Sequence, residues 1–453
     1  MTESLAVSDY SRVLERVQSE HVHLVRFLWC GNDGTIRAKA TGAGRLGSRL
    51  ANGMGVATAV QAMNSLDEVQ PIGPRTKVRL MPDPQTFKVL PYAPHTGAMI
   101  CDHVRFGDFL HVDENLDAVC QRTFLKRMEI RLSERDAALR AGFATEFSLA
   151  TGVEGRYVPI DHSLGLSTIG MTASQDFTDE LVGALEAQGI EVDGYATGLG
   201  YGQQEVGVAH HKALRAADQQ IFLRETIRGV AAKRGIVASL APKPWPDNAG
   251  NGLQIHFSLW SSDRQNRFDA QGAGMLSGEG RAFVAGVLEH LPALCALFAP
   301  SFNSYRRRTT QGFSCWGPDN RLAPIRLPGG AGPVPPGATN VLLALADSSC
   351  NPYLALGGLI AAGLDGLERG LDLPEAVEGD PAELSEQERV RRRVRPLPHT
   401  LLEAIEALEA DRYLTSALGP SLAHSFIAVR RSEWHAFSKS NPTHEQAGHF
   451  LRY

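Results

Sequence analysis

The stretch Pro242–Trp260, PKPWPDNAGNGLQIHFSLW, constrains this chain more than any other. A turn rich in Pro, Gly and Asn runs straight into Leu253–Trp260, where apolar and polar residues alternate. Alternation at a period of two puts Gln254, His256 and Ser258 on one face of a strand and Leu253, Ile255, Phe257 and Leu259 on the other. A polar strand face beside glycines, which let a ligand come close to the backbone, predicts one wall of an active site. The competing reading of this stretch alone is an amphipathic edge strand.

The rest of the chain is of ordinary globular composition. Its 453 residues, 43% hydrophobic and 21% charged, can bury a large core and hold two domains or one elaborate one. No run of about 18 apolar residues is evident, so no membrane span is expected. The opening MTESLAVSDYSRVLERV carries charges throughout and lacks a signal-peptide core. A net charge of −5 gives no electrostatic reason to expect nucleic acid. Six cysteines (30, 101, 120, 295, 315, 350) are scattered without a CxxC pair. That pattern suits reduced thiols, and with them a cytoplasmic location.

Residues 9–28 begin as a helix and run into an apolar strand, Val22–Leu28. The turn Gly31-Asn32-Asp33-Gly34 then leads into a return strand, Thr35–Ala40. A second strand–turn–strand pattern covers Val78–Met81, Pro82-Asp83-Pro84 and Phe87–Leu90, followed by Ala98–Asp102. Gly42-Ala43-Gly44-Arg45-Leu46-Gly47 fits GxGxxG, but the preceding TIRAKA carries two cations in six residues and is no buried parallel strand. These glycines read as a loop. From Asn115 the pattern turns helical, with Leu125, Met128 and Leu132 on one face. A long helix is expected from Thr400, capped by Thr400 and Glu403, with Leu401, Ile405 and Leu408 buried. Pro328–Gly337 reads as a loop. Acidic Glu375–Glu388 and basic Arg389–Arg395 read as a solvated helix pair.

PKP…GNGxxxHFSLW is similar to the PKP…GSGxHxHxSLW signature of the glutamine synthetase family. Thr145-Glu146-Phe147, Gly202-Gln203-Gln204-Glu205 and Asn303-Ser304-Tyr305-Arg306-Arg307 match further motifs of that family, in its order. Asn320-Arg321, Ile325-Arg326 and Asn351-Pro352-Tyr353-Leu354 follow. On these matches the chain is identified as a member of the family, in its γ-glutamyl-amide ligase branch. The resemblance implies an α+β fold: a small N-terminal β-grasp domain (1–110), then a catalytic domain (111–453) whose antiparallel sheet forms the active-site wall. It also implies a ring-shaped homo-oligomer, a dodecamer, with each active site between neighbouring subunits. No tyrosine occurs between Tyr353 and Tyr413, so the adenylylation of some bacterial relatives is not expected.

In the family, ATP phosphorylates a glutamate carboxylate and ammonia or an amine displaces the phosphate. Two divalent ions screen the charges, held by glutamates and by the first histidine of HxH. Here the match is uneven. Glu146 and Glu205 stand at ligand positions of the three-glutamate ion, whose remaining ligand falls at Gly198 or Thr197. Ala144, Gln254 and Leu342 occupy the ligand positions of the other ion. The arginine that grips the substrate α-carboxylate is replaced by Ala344, and one near the nucleotide base by Asn340. Between Arg307 and Trp316 the chain is a few residues shorter than its relatives, which trims the flap over the glutamate pocket. The positions facing nucleotide phosphates or the transferring group persist as His256, Ser258, Arg307, Arg321 and Arg326, and the resemblance implies a catalytic role for Arg307 and Arg326.

Two functional readings follow. One is an atypical ATP-dependent carboxylate–amine ligase, using ATP and at most one Mg²⁺, which does not join glutamate to ammonia. Its partners would be a carboxylic acid and an amine. The other is a catalytically silent member of the family that acts by nucleotide binding or assembly.

Overall fold

The computed structural model describes residues 2–71, 77–105, 119–153, 156–270, 275–307, 312–328 and 338–453. The segments flanking the GNDG turn form β1 (Leu24–Cys30), which is apolar, and β2 (Ile36–Gly42), which is mostly exposed, an antiparallel hairpin. With β3 (Met54–Ala57), β4 (Lys77–Pro82), β5 (Lys88–Val89) and β6 (Thr96–Arg105) they make a sheet of order β2-β1-β6-β4-β3, with β5 also on β6. β1 and β6 run parallel at its centre. Val13 and Val17 of the helix Thr2–Ser19 share a separate core with Val25, Phe27, Leu46 and Leu50.

The GxGxxG stretch is not the loop expected. Ala43–Arg45 is a 3₁₀ turn and Leu46–Asn52 a helix, because Leu46 and Leu50, four residues apart, both bury fully. The strand entering it, β2, is antiparallel to β1 and exposed along Ala38–Ala40. A dinucleotide site needs a buried parallel strand there, so the motif has no such function.

The larger sheet contains β7 (Ala138–Val153), β8 (Arg156–Pro159), β9 (Val192–Thr197), β10 (Gln203–Val208), β11 (His211–Lys212), β12 (Val237–Ser239) and β13 (Leu253–Trp260). After the short β14 (Phe313–Ser314) it continues with β15 (Trp316–Pro318), β16 (Ile325–Leu327) and β17 (Val341–Ala346). Its main order is β15-β16-β17-β13-β7-β10-β9, antiparallel except for β15 with β16. β18 (Arg395–Pro396) pairs with β14 outside it. β13 lies between β17 and β7, so it is a central strand and not an edge. Leu253, Ile255, Phe257 and Leu259 are buried in the main core, where Phe257 packs against Phe268 and Phe283.

Helix Gly278–Phe298 is long and apolar enough to cross a membrane by length and composition, a pattern the sequence reading did not single out. Most of it is buried within the protein, against the helix Pro352–Arg369. The two backbones meet at glycines: a Cβ on Gly286 would overlap the Ala362 carbonyl oxygen, and one on Gly366 the Ala282 carbonyl oxygen. At His290 the apolar helix carries a polar contact, with ring nitrogens 2.6 Å from Asp411 and 3.0 Å from Asp365.

The expected long helix at Thr400 spans only Leu401–Ala410, with Thr400 accepting from the Glu403 N–H (3.2 Å) and Leu401, Ile405 and Leu408 buried. It ends because Asp411 turns outward to cap the next helix, Arg412–Leu418. The charged blocks are not a helix pair. Ser385 caps the short helix Glu386–Arg391, while the acidic arm before it is irregular and receives Arg391 and Arg392 on Glu375. Residues 329–337 of the expected Pro-rich loop, the trimmed segment 308–311 and the expected domain boundary at 110/111 lie outside the described residues.

The GNDG turn is where the N-terminal sheet docks. Asn32 and Asp33 are fully buried. Asn351 donates to the carbonyls of Cys30 (3.1 Å) and Gly31 (3.0 Å), and Arg224 to that of Gly34 (2.8 Å). Nearby, buried Arg122 joins Asp83 and Asp102 of this sheet to Asp218 at 2.7, 3.1 and 2.9 Å.

Candidate active site

Directly opposed residues of antiparallel strands share a face, so the register lays out the polar side of the sheet in rows. Glu205 of β10 lies opposite Glu146 of β7. The next row is Gly207, Ala144 and Gln254. Then come Gly142, His256, Leu342 and Arg326, and last Arg140 with Ser258. Successive rows are about 7 Å apart along the strands. Carboxylates therefore stand at one end of the face, and imidazole, guanidinium and hydroxyl groups at the other.

The carboxylate end is tightly fixed. Glu146 Oε2 accepts from the Gly252 N–H at 2.5 Å, and the Gln254 amide reaches Glu205 at 3.4 Å. Burial, and then the neighbouring Glu146 carboxylate, raise the Glu205 pKa above its ordinary value. The register also decides which upstream residue faces this end: Ala196 opposes Glu205, and Thr197 turns to the core side opposite Gln204. Gly198 is the facing residue, and the Gln203 side chain fills the space a side chain there would take, its Cδ 2.6 Å from an added Cβ. Gln203 donates to Gly250 O (2.9 Å) and Asn251 Oδ1 (3.1 Å) and approaches Glu146 at 3.5 Å. Among the described residues, no three His, Cys, Asp or Glu side chains gather to hold a metal ion.

The glycines of the turn have a different use from the one the sequence implied. They seat a side chain of the protein itself: a Cβ on Gly250 would lie 2.6 Å from Arg307 Cγ, and one on Gly252 3.2 Å from both Arg307 Nη1 and Glu146 Oε2. Arg307 also donates to the carbonyls of Leu345 (2.9 Å) and Ala346 (3.0 Å) at the end of β17. Arg326 is held by Ala323 O (3.2 Å) and Arg321 O (2.7 Å), while the Arg321 side chain is exposed. Register and turn thus bring together Glu146, Glu205, His256, Ser258, Arg307 and Arg326, and leave Arg321 at the edge beside Arg326.

At the far end His256 Nδ1 donates to Asn340 Oδ1 (3.1 Å), so the residue replacing a family arginine here orients the imidazole. Ser258 Oγ accepts from Trp260 Nε1 (2.8 Å), which leaves its hydroxyl proton to donate outward. His210 and Arg140, neither singled out from the sequence, complete this end. The two histidine rings are 5.8 Å apart, and Arg140 donates to the His210 carbonyl (3.1 Å). Leu342 and Ala344 are buried and add no charge. Cavities of about 340 and 260 Å³ lie elsewhere, around Glu375–Asp380 and between Glu289 and Arg393, with no residue of this face in their walls.

The sequence profile of the glutamine synthetase catalytic domain matches residues 118–447, and that of the glutamine synthetase N-terminal domain residues 9–115. The chain is 34% identical over 423 residues to the γ-glutamylpolyamine synthetase GlnA3 of Streptomyces coelicolor, covering 91% of this chain and 90% of that protein. It is 32% identical over 371 residues to the glutamate–methylamine ligase of Methyloversatilis universalis, covering 78% and 80%. Among solved structures, a glutamine synthase homologue superimposes with a TM-score of 0.82 at 28% identity over 94% of this chain and 97% of that one. An ADP complex of GmaS does so with a TM-score of 0.83 at 26% identity, covering 96% and 98%. With both domain profiles matched across nearly the whole chain, the protein belongs to the glutamine synthetase family.

Proposed function

We propose that this protein is an ATP-dependent carboxylate–amine ligase that works with one divalent cation on an acid other than glutamate. The observation carrying the reading is the charge-segregated sheet face, with paired carboxylates at one end and phosphate-binding donors at the other. Glu146 and Glu205 fit one hard cation of the Mg²⁺ type, since they oppose each other on paired strands, close enough that the Glu146 carboxylate adds to the upward pKa shift that burial gives Glu205. When bound, that cation supplies charge neutralisation for phosphoryl transfer. Around Gln254 the facing groups are Ala144, Leu342 and one neutral amide, which do not fit a second ion. His256, Ser258, Arg307 and Arg326, with Arg321 at the edge, would bind the nucleotide phosphates.

The relatives named for polyamine and methylamine support an amine as the second substrate. Ala344 offers no charge to an α-carboxylate, and leaving such a group unpaired typically costs about 2–5 kcal/mol. Glutamine formation from glutamate, ammonia and Mg-ATP should therefore be slower than in ordinary family members by at least about thirtyfold. A phosphate-release screen over acids and amines tests the proposal. Rapid γ-glutamyl hydroxamate formation would overturn the substrate assignment. ATP binding without turnover on any pair would favour the silent, nucleotide-binding reading, to which the lack of a three-ligand cluster among the described residues lends support.

We also propose that the subunits close into a ring, most simply a dodecamer, because heterologous head-to-tail contacts between an N-terminal domain and the next catalytic domain generate closed rings. Light scattering should report this mass at micromolar concentration. A monomer there would refute it.

A further inference from the structure

The polar face has its charge-poor row, Gly207, Ala144 and Gln254, where the family's histidine-containing ion would sit, and the next row along carries a second imidazole. His210 follows β10, and its ring reaches back over the sheet to Gly142, directly beside His256 in register. The site is shaped for it. A Cβ at position 142 would overlap the His210 ring and come within 2.7 Å of its Nε2, so only glycine admits the imidazole here. Arg140, two residues along the same strand, holds the His210 carbonyl and stacks on Trp260, 5.1 Å from the ring centre. Trp260 in turn fixes Ser258. Two imidazoles, a guanidinium and a hydroxyl thus converge within two rows.

We propose that His210 and His256 form a paired-imidazole subsite for the nucleotide's phosphates, which takes up a proton as the polyanion binds. The inference rests on the ATP-dependent reading above and supplies positive charge close to where the second cation cannot be held. The groups facing His210 are His256, Arg140 and His211, which oppose its protonation, and Asp193, which favours it. Burial and then the neighbouring His256 depress its pKa in the free protein, so at neutral pH the imidazole is poised to gain charge, not already charged. Triphosphate carries about four negative charges and reverses that balance. His256 Nδ1 is already committed to Asn340, which leaves Nε2 to meet a ligand.

The test is isothermal titration calorimetry of the full chain with Mg-ATP near pH 7.5, in buffers of different ionisation heat. Net proton uptake is expected on binding. His210→Gln should abolish the uptake and weaken ATP about tenfold, the loss of one charge-assisted hydrogen bond, while adenosine affinity is unchanged. Gly142→Ala, which displaces the imidazole without removing it, should weaken both effects and guards against a folding defect of the first variant. ATP binding without proton uptake, or His210→Gln with wild-type uptake and affinity, overturns the subsite alone. No ATP binding by the wild-type chain overturns the ligase reading and this subsite together.

Discussion

Gly34→Ala is expected to destabilise the protein by about 2–5 kcal/mol, the largest loss anticipated from adding a single methyl group. Two effects combine. Gly34 has φ +76°, a left-handed conformation that costs other residues about 1–2 kcal/mol. Its Cβ would also overlap the Ser349 carbonyl oxygen, and relieving such an overlap in packed surroundings costs about 1–3 kcal/mol more. Neither neighbour can give way easily. The Gly34 carbonyl is held by buried Arg224, and Asn351, just after Ser349, caps the helix Pro352–Arg369 while holding Cys30 and Gly31.

Gly370→Ala separates the two contributions. Gly370 caps that same helix with φ +58°, and a Cβ there meets nothing within 4 Å. It should lose only the conformational part, about 1 kcal/mol. Urea unfolding of both variants beside the wild type measures the difference. Equal losses would show that the GNDG turn does not dock as tightly as described.

The turn also shows what was readable before the structure. Gly-Asn-Asp-Gly after an apolar run signals a hairpin through local chemistry alone, and the hairpin is there. That its tip is buried against Ser349 and Asn351 depends on contacts more than 300 residues away in sequence, which no local pattern encodes. β13 was legible because one face is packed in the core and the other is not, which imposes strict alternation. β7 was not, although it is the longer strand. Gly142 and Ala144 stand where its polar face would otherwise declare itself, and its alanines and leucines suit a helix equally well. The glycines at 42–47 misled in the opposite direction, because Leu46 and Leu50 settle the local structure through burial.

For the site, residues inside motifs were findable and those outside were not. Gln203 belongs to a motif, but its place over Gly198 follows from a tight turn. His210 lies in the irregular link between β10 and β11, where no periodicity assigns a face. Only the missing side chain of Gly142 explains its position.

Replacing Glu146 and Glu205 together with glutamine is expected to abolish Mg²⁺-dependent ATP binding while leaving the fold intact. The two carboxylates oppose each other on paired strands, and burial, then repulsion from Glu146, already hold Glu205 toward its protonated form. A divalent cation relieves that repulsion, yet two side-chain ligands and water make a weak site unless nucleotide phosphates complete the shell. Cation and nucleotide should therefore bind together or not at all. Glutamine keeps the shape of both residues, and its amide oxygen can still accept from the Gly252 N–H, so the thermal midpoint should stay level or rise as the like charges disappear. Calorimetry with Mg-ATP reads the loss, and thermal unfolding checks the fold. Manganese titration of the wild type with ATP should find no more than one ion per chain, and anomalous scattering should place it between Glu146 and Glu205. Wild-type Mg-ATP affinity in the double variant, or a second ion beside Gln254, would show that groups outside this pair hold the metal.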